Sequence, residues 1–199
     1  MPAPPVQAIL FYAIAALMVG LHAYRLRAAG DDDAARLRFG AFALAQVRRW
    51  QVWRIITYAF VHRSWAHVLL DAAAVAALGT ASIWISGFAV AFSDYRLGLW
   101  IPLLGFVISP ARRSILISAS GSPMALAGGL VMQLLLRAPG SLTAPEAGAA
   151  ALVLVYTAAA FALRGAPVRL MLLALIAGAL SSLMAQLIVE LERATIAAM

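Results

Sequence analysis

The chain has 199 residues, of which 64% are hydrophobic and 12% are charged, and its mean hydropathy is +0.93. A soluble domain carries about 25% charged residues, so the composition excludes a soluble enzyme and predicts an all-α membrane protein. The net charge of +7 comes from Arg without any Lys. Because these arginines stand at the ends of apolar runs rather than in one solvated stripe, they do not indicate nucleic-acid binding. Cysteine is absent and the three histidines lack metal-ligand spacing, so no metal or other cofactor is implied.

The first apolar run extends from Val6 to about Tyr24 and is predicted to end at Arg25. No basic segment precedes this run and no small-residue cleavage site follows it, so we predict a retained helix rather than a secretion signal. The connector that follows, about residues 25–65, is rich in Arg, Trp and Tyr. These residue types favour the headgroup region, which predicts an ordered interfacial loop with Trp53 and Arg54 as interfacial anchors.

Apolar sequence then continues from Ala66 to Ser109, which is long enough for two spans. Two positions for the turn between them are open. If Asp94 and Arg96 mark the turn, the third span is short. If the turn lies near residues 86–87, both charges lie inside the third helix, which is the interpretation that we favour. Charged side chains at such depth usually face the interior of a bundle and pair.

Three further runs complete six predicted transmembrane segments, which form a single domain over residues 1–199. The fourth covers Ile115 to Leu136, with Ser122 as the predicted cap and Pro123 at the first helical position. The fifth covers about Gly148 to Leu163. The sixth covers Leu170 to Val189 and is predicted to end at Glu190. Its small residues recur every four positions and allow a neighbouring backbone to approach closely: Ala174, Gly178 and Ser182.

Polar side chains inside the predicted spans are candidates for function, because polar groups are costly in lipid. His67 and Asp71 are four residues apart and therefore share one helix face. Ser120 lies among small residues at the start of the fourth helix. From the residues alone, a mutually satisfied buried pair and a helix-entry or packing serine are favoured over a catalytic site. Ser181 and Ser182 on the sixth helix favour a packing role.

The residues from Trp53 to His67 resemble the Trp-Arg loop and second helix of rhomboid intramembrane serine proteases. In that family a His precedes an Asn by four positions. His67 matches the family His, whereas Asp71 stands in the place of the Asn. Gly128 also falls where the family often has Gly.

Two further motifs carry the resemblance. Residues 118–121, Ser-Ala-Ser-Gly, are similar to the Gly-x-Ser-Gly nucleophile motif, with Ser118 replacing the first Gly and Ser120 at the nucleophile position. The sixth helix of the family carries His-x-x-Gly-x-x-x-Gly. The best match here is residues 175–182, which places Leu175 where the catalytic base is expected.

The resemblance implies a six-helix rhomboid-like bundle in which Ser120 is the nucleophile and His67 and Asp71 lie on the oxyanion side. Leu175 cannot accept a proton, no His follows His67, and an ionised Asp71 would repel an oxyanion. We therefore predict a pseudoprotease that binds transmembrane helices of other membrane proteins, as a scaffold or complex subunit. The alternative is an active protease in which His67 serves as substitute base, with Asp71 orienting its ring.

A transporter or channel is a third hypothesis, with Asp71, Asp94 and Arg96 as its path residues, but no inverted repeat supports it. Two orientations are open. The family pattern places the N-terminus in the cytoplasm, whereas eight arginines in the first connector favour a cytoplasmic position for that loop. We expect an integral protein in contact with lipid, in the bacterial inner membrane.

Overall fold

The computed structural model describes residues 5–47, 49–108, 115–118, 120–137, 143–164 and 168–197. Helices dominate the described residues, and six of them have 15 residues or more. In chain order the α-helices are α1 (Ala8–Ala29), α2 (Asp33–Arg38), α3 (Leu44–Val47), α4 (Arg54–Thr57), α5 (Trp65–Ser86), α6 (Phe88–Ile108), α7 (Gly121–Leu135), α8 (Ala144–Arg164) and α9 (Val168–Ala197). A short 3-10 helix, Tyr58–Phe60, follows α4.

Four helices are long and apolar enough to cross a membrane, namely α1, α5, residues Ala144–Ala162 of α8 and Met171–Ile196 of α9. Helix α7 is apolar but shorter, and α6 contains two charged residues and Pro102. Helices satisfy their own backbone hydrogen bonds, which lipid cannot do. The predicted all-α, membrane-spanning bundle is confirmed.

The turn between the second and third long helices lies where we favoured it. Helix α5 ends at Ser86, and Gly87 adopts a φ of 84°, a left-handed conformation that suits glycine. Asp94 and Arg96 accordingly lie inside α6. Asp94 is buried, but Arg96 is exposed, with its guanidinium carbon 5.1 Å from the centre of the Phe92 ring. The expectation that both charges face the interior is therefore wrong for Arg96.

Several predicted helix ends are wrong. Helix α1 passes Arg25 and ends at Ala29, because the Arg25 side chain is held by acceptors beyond the helix. Helix α9 passes Glu190 and ends at Ala197. Glu190 accepts hydrogen bonds from Gln186 and Arg193, pairs at helical spacing that support the exposed end.

The predicted start of the fourth helix is also wrong. Helix α7 begins at Gly121 with Ser120 at the N-cap position, so Ser122 is inside the first turn and is not the cap. Pro123 is tolerated there because the first-turn N–H groups of a helix have no intrahelical acceptor. Helix α8 begins earlier than predicted, at Ala144.

Helix α7 is the centre of the bundle, and it contacts α5, α6, α8 and α9. A Cβ atom at Gly128 would collide with the backbone carbonyl of Leu175 on α9, and one at Gly178 would collide with that of Ala125 on α7. The predicted small-residue face of the sixth helix is therefore a close backbone contact, at which Ala174 is also fully buried.

The described part of the first connector contains short helices, and α2 and the 3-10 helix Tyr58–Phe60 contact α1. Trp53 is 53% exposed, consistent with an interfacial anchor. Arg54 is not an exposed anchor, because it is buried and donates to the carbonyls of Leu37 and Ala41. The Tyr58 hydroxyl donates to the carbonyl of Leu99, which ties the connector to α6.

Candidate active site

The segment at residues 115–118 brings Ser118 against the connector. Leu116 and Phe42 exchange two backbone hydrogen bonds of 2.9 Å, which form an isolated antiparallel bridge. The Ser118 N–H donates to the carbonyl of Tyr58, also at 2.9 Å. Because the Tyr58 hydroxyl is hydrogen-bonded to α6, the connector holds the backbone of Ser118 in a fixed position relative to α6.

The start of α7 is fixed by a glycine contact with α6. A Cβ atom at Gly121 would collide with the carbonyl of Gly98 and with the ring of Pro102. The missing side chain lets the first turn of α7 lie directly on α6. Ser120, at the N-cap position, is partly buried and does not cap the helix with its hydroxyl. Its Oγ atom is therefore available for contacts with other helices.

Helix α5 supplies the remaining predicted groups. Ser64 caps this helix, because its Oγ accepts a hydrogen bond from the His67 N–H at 3.3 Å. The helical spacing then places His67 and Asp71 on one face, as predicted, and the His67 Nε2 atom lies 3.4 Å from Asp71 Oδ2. Asp71 is fully buried, whereas the His67 side chain is 16% exposed.

The structure brings the three predicted site residues into direct contact. Ser120 Oγ lies 3.0 Å from His67 Nε2 and 3.3 Å from Asp71 Oδ2. Ser118 joins them: its Oγ donates to Asp71 Oδ2 at 2.8 Å and lies 2.8 Å from Ser120 Oγ and 3.1 Å from His67 Nε2. Two hydroxyls, an imidazole and a carboxylate thus converge at the N-terminus of α7. No group of three His, Cys, Asp or Glu side chains suited to a metal occurs among the described residues.

This serine-centred site lies inside a region with a recognisable family pattern. The family model described as Rhomboid domain matches residues 49–192, which span the last part of the connector and the helices from α5 into α9. The chain belongs to the rhomboid family. Nothing matches it among curated proteins or among solved structures. Because it belongs to this family and has four helices long and apolar enough to cross a membrane, this protein is an integral membrane protein in contact with lipid.

Leu175, which the sequence resemblance aligns with the base of the family, is a packing residue in this rhomboid. Leu175 lies on α9, its backbone carbonyl lies against Gly128, and its side chain packs partly buried against the hydrophobic core. A leucine has no group that accepts a proton.

The backbone is strained at Ser118, which the sequence resemblance places in the rhomboid nucleophile motif. Its φ of 71° is left-handed, which suits the Gly that the family has there and costs a residue with a Cβ roughly 1–2 kcal/mol. Ser118 is nevertheless buried and hydrogen-bonded to Asp71. Backbone strain of this kind concentrates at functional sites.

Sequence reasoning missed two partners of Asp71. His62 Nε2 lies 3.4 Å from Asp71 Oδ2, while its Nδ1–H donates to the Phe60 carbonyl at 3.2 Å. The Tyr156 hydroxyl of α8 donates to Asp71 Oδ1 at 3.4 Å. Since His62 precedes α5, helical spacing could not place it. Tyr156 did carry a signal, because a tyrosine within an apolar span usually finds a polar partner.

The arrangement differs from a Ser-His-Asp triad. In a triad the carboxylate holds the imidazole nitrogen that faces away from the serine. Here Asp71 Oδ2 and Ser120 Oγ both approach His67 at Nε2. Asp71 thus contacts the serine directly as well as the imidazole.

Proposed function

We propose that this rhomboid-family protein is an intramembrane serine endopeptidase with Ser120 as its nucleophile. One observation carries the proposal: Ser120 Oγ lies within 3.3 Å of an imidazole nitrogen and of a buried carboxylate oxygen, those of His67 and Asp71. A serine hydroxyl attacks a carbonyl only when a positioned group takes its proton. The His67 nitrogen, at 3.0 Å, lies within the roughly 2.6–3.2 Å reach of a general base, and the Asp71 oxygen, at 3.3 Å, lies just beyond it.

The site lies among apolar helices, so its substrates are proteins with membrane-embedded segments. Ser120 is partly buried, and the histidine beside it is 16% exposed, so the scissile peptide must approach a largely enclosed pair. Removing bulk water from such a site strengthens its electrostatic interactions. Location in the bacterial inner membrane stays a prediction.

Covalent labelling tests the nucleophile. Purified protein in mild detergent is treated with a fluorophosphonate probe, and the labelled residue is mapped by mass spectrometry. Wild-type protein should be labelled at Ser120, and Ser120→Ala should not be labelled. The matched control is Ser122→Ala, because Ser122 lies two residues further along and is fully buried, with a hydroxyl that makes no hydrogen bond to the described residues. Absence of wild-type labelling, beside a labelled active rhomboid, would reject the proposal.

Proteolysis is tested separately. The protein is reconstituted in liposomes with a single-span test substrate, and wild type is compared with Ser120→Ala and Ser122→Ala. Cleavage by wild type and by the Ser122 variant, but not by the Ser120 variant, supports the endopeptidase. If Ser120 were labelled but no substrate were cleaved, Ser120 would be a reactive serine and the proposed endopeptidase activity would be rejected.

A pseudoprotease that binds transmembrane helices is the second candidate, and a specific observation favours it. Asp71 places a carboxylate where the family has an Asn donor, and Leu175 occupies the position of the base. A carboxylate in that position opposes a developing oxyanion. This candidate predicts no labelling of Ser120 and stable co-purification of another membrane protein in mild detergent. Recovery of the protein without any partner across several detergents would argue against it.

A further inference from the structure

We propose that Asp71 is the general base of this site and that Ser118 relays the proton of Ser120 to it. This inference rests on the proposed function and assigns the group that replaces the missing histidine of α9. Ser118 and Asp71 are both departures from the family motifs, and they are hydrogen-bonded to each other at 2.8 Å. The two residues that differ from the family motifs therefore contact each other, next to Ser120, whose hydroxyl needs a base.

Counting hydroxyl protons gives the direction of the relay. A serine hydroxyl donates one hydrogen bond and accepts up to two. Ser118 donates to the carboxylate of Asp71, which can only accept. Ser118 Oγ must therefore accept from Ser120 Oγ at 2.8 Å, and it also accepts from the Ser120 N–H at 3.2 Å. The path from Ser120 through Ser118 to Asp71 thus consists of two short hydrogen bonds, whereas the direct contact is 3.3 Å.

The surroundings of His67 make it a donor rather than the base. Its Nε2 atom faces three oxygen atoms, those of Ser118, Ser120 and Asp71. The carboxylate among them is an acceptor, which favours a hydrogen on Nε2. A nitrogen that already carries a hydrogen cannot take the proton of Ser120. It can donate to a developing oxyanion, which is the role that the family gives this position.

The chemical step then balances within the site. Ser120 Oγ forms a bond to the carbonyl carbon of the scissile peptide, and the carbonyl π electrons move to its oxygen, where His67 donates. The Ser120 proton passes to Ser118 Oγ while the Ser118 proton passes to Asp71. When the C–N bond breaks, the same path returns a proton to the leaving amine. Water then attacks the acyl-enzyme with Asp71 again as base, which releases the carboxylic acid and restores Ser120.

The relay is tested by the rate of fluorophosphonate labelling of the full chain in detergent. Ser118→Gly and Asp71→Asn each restore the residue that the family motif has, and each should lower the labelling rate roughly 10²- to 10⁴-fold, the range for loss of general-base catalysis. The double variant should be no slower than either single variant, because both remove the same path. His67→Gln keeps a donor and should lose less than Ser118→Gly.

Folding is controlled by the choice of variant. Glycine relieves the φ of 71° at Ser118, which offsets the lost hydrogen bond to Asp71, so thermal unfolding should show that Ser118→Gly is folded at the labelling temperature. If Ser118→Gly were labelled as fast as wild type, the relay would be overturned and the proposed function would stand. The same would follow if labelling were lost only in His67→Gln. Absence of labelling in the wild type would overturn both.

Discussion

Gly128 of α7 lies directly against the backbone carbonyl of Leu175 on α9, with no room for a side chain between the two helices. The contact joins α7, whose N-cap residue is Ser120, to α9. Its closeness depends on the missing Cβ atom, as in other membrane helix pairs. The α7–α9 interface therefore sets the geometry of the bundle core.

Gly128→Ala should destabilise the protein. Alanine gains about 1 kcal/mol of helix propensity over glycine, but overpacking against a backbone atom costs about 1–3 kcal/mol or more. We expect a lower unfolding temperature in detergent. Gly148→Ala on α8 is the matched control, because nothing lies within 4 Å of an added Cβ there, and it should be neutral or stabilising. Equal behaviour of the two variants would contradict the close contact.

Gly129 should be coupled to Asp94 in the middle of the bundle. A Cβ atom at Gly129 would collide with the Asp94 carboxylate, whose Oδ2 accepts a hydrogen bond from Ser182 at 3.2 Å. Gly129→Ala should cost about 1–3 kcal/mol in the wild-type background. In an Asp94→Ala background only the Ser182 Oγ, 3.0 Å from the added Cβ atom, stays close, so the cost should fall. A double-mutant cycle from thermal unfolding measures this coupling, and additive effects would contradict it.

The sequence predicted the long helices well because each span is a sustained apolar run with charges or glycine near its ends. Helix ends were less predictable, since they depend on tertiary partners. Arg25 stops no helix, because Gly30 and Asp31 accept its hydrogen bonds. Glu190 stops none either, because a helix can extend beyond the lipid when its charges pair along one face.

The candidate site was predictable in part. Spacing placed His67 and Asp71 on one face, and the family motif pointed to Ser120. The link that Ser118 makes was not predictable, because it depends on a left-handed backbone and on the path of residues 115–118 across the connector. Contacts between residues about fifty positions apart cannot be read from helical periodicity.

Arg25 should be essential for stability although it lies at the edge of the bundle. The residue is 1% exposed and donates to the carbonyls of Gly30 and His62 and to the carboxylate of Asp31. Arg25→Ala leaves these acceptors without the guanidinium and should cost about 2–3 kcal/mol. Arg27→Ala, exposed two residues further on, is the control and should change the unfolding temperature little. Similar losses in both variants would indicate a general effect of charge at the end of α1.

Asp31 should contribute stability that depends on pH. Partial burial opposes ionisation, but hydrogen bonds and charges from Arg25 and Arg36 outweigh it and lower the pKa of Asp31 below its usual 3.8. A carboxyl group with a lowered pKa in the folded state stabilises above its unfolded pKa, and this stabilisation disappears as the pH falls through the folded pKa. The Asp31 side chain is 50% exposed, so the effect should be small, less than about 1 kcal/mol.

Asp31→Asn should therefore unfold at a lower temperature than wild type at pH 7, and the difference should vanish as the pH falls well below 3.8. Thermal unfolding in detergent across this range measures it. Glu192→Gln, at an exposed carboxyl near the end of α9, is the control and should change the unfolding temperature little. A difference between Asp31→Asn and wild type that stays constant into acid would mean that the carboxylate acts through shape rather than charge. Arg25 would then be held mainly by the carbonyls of Gly30 and His62.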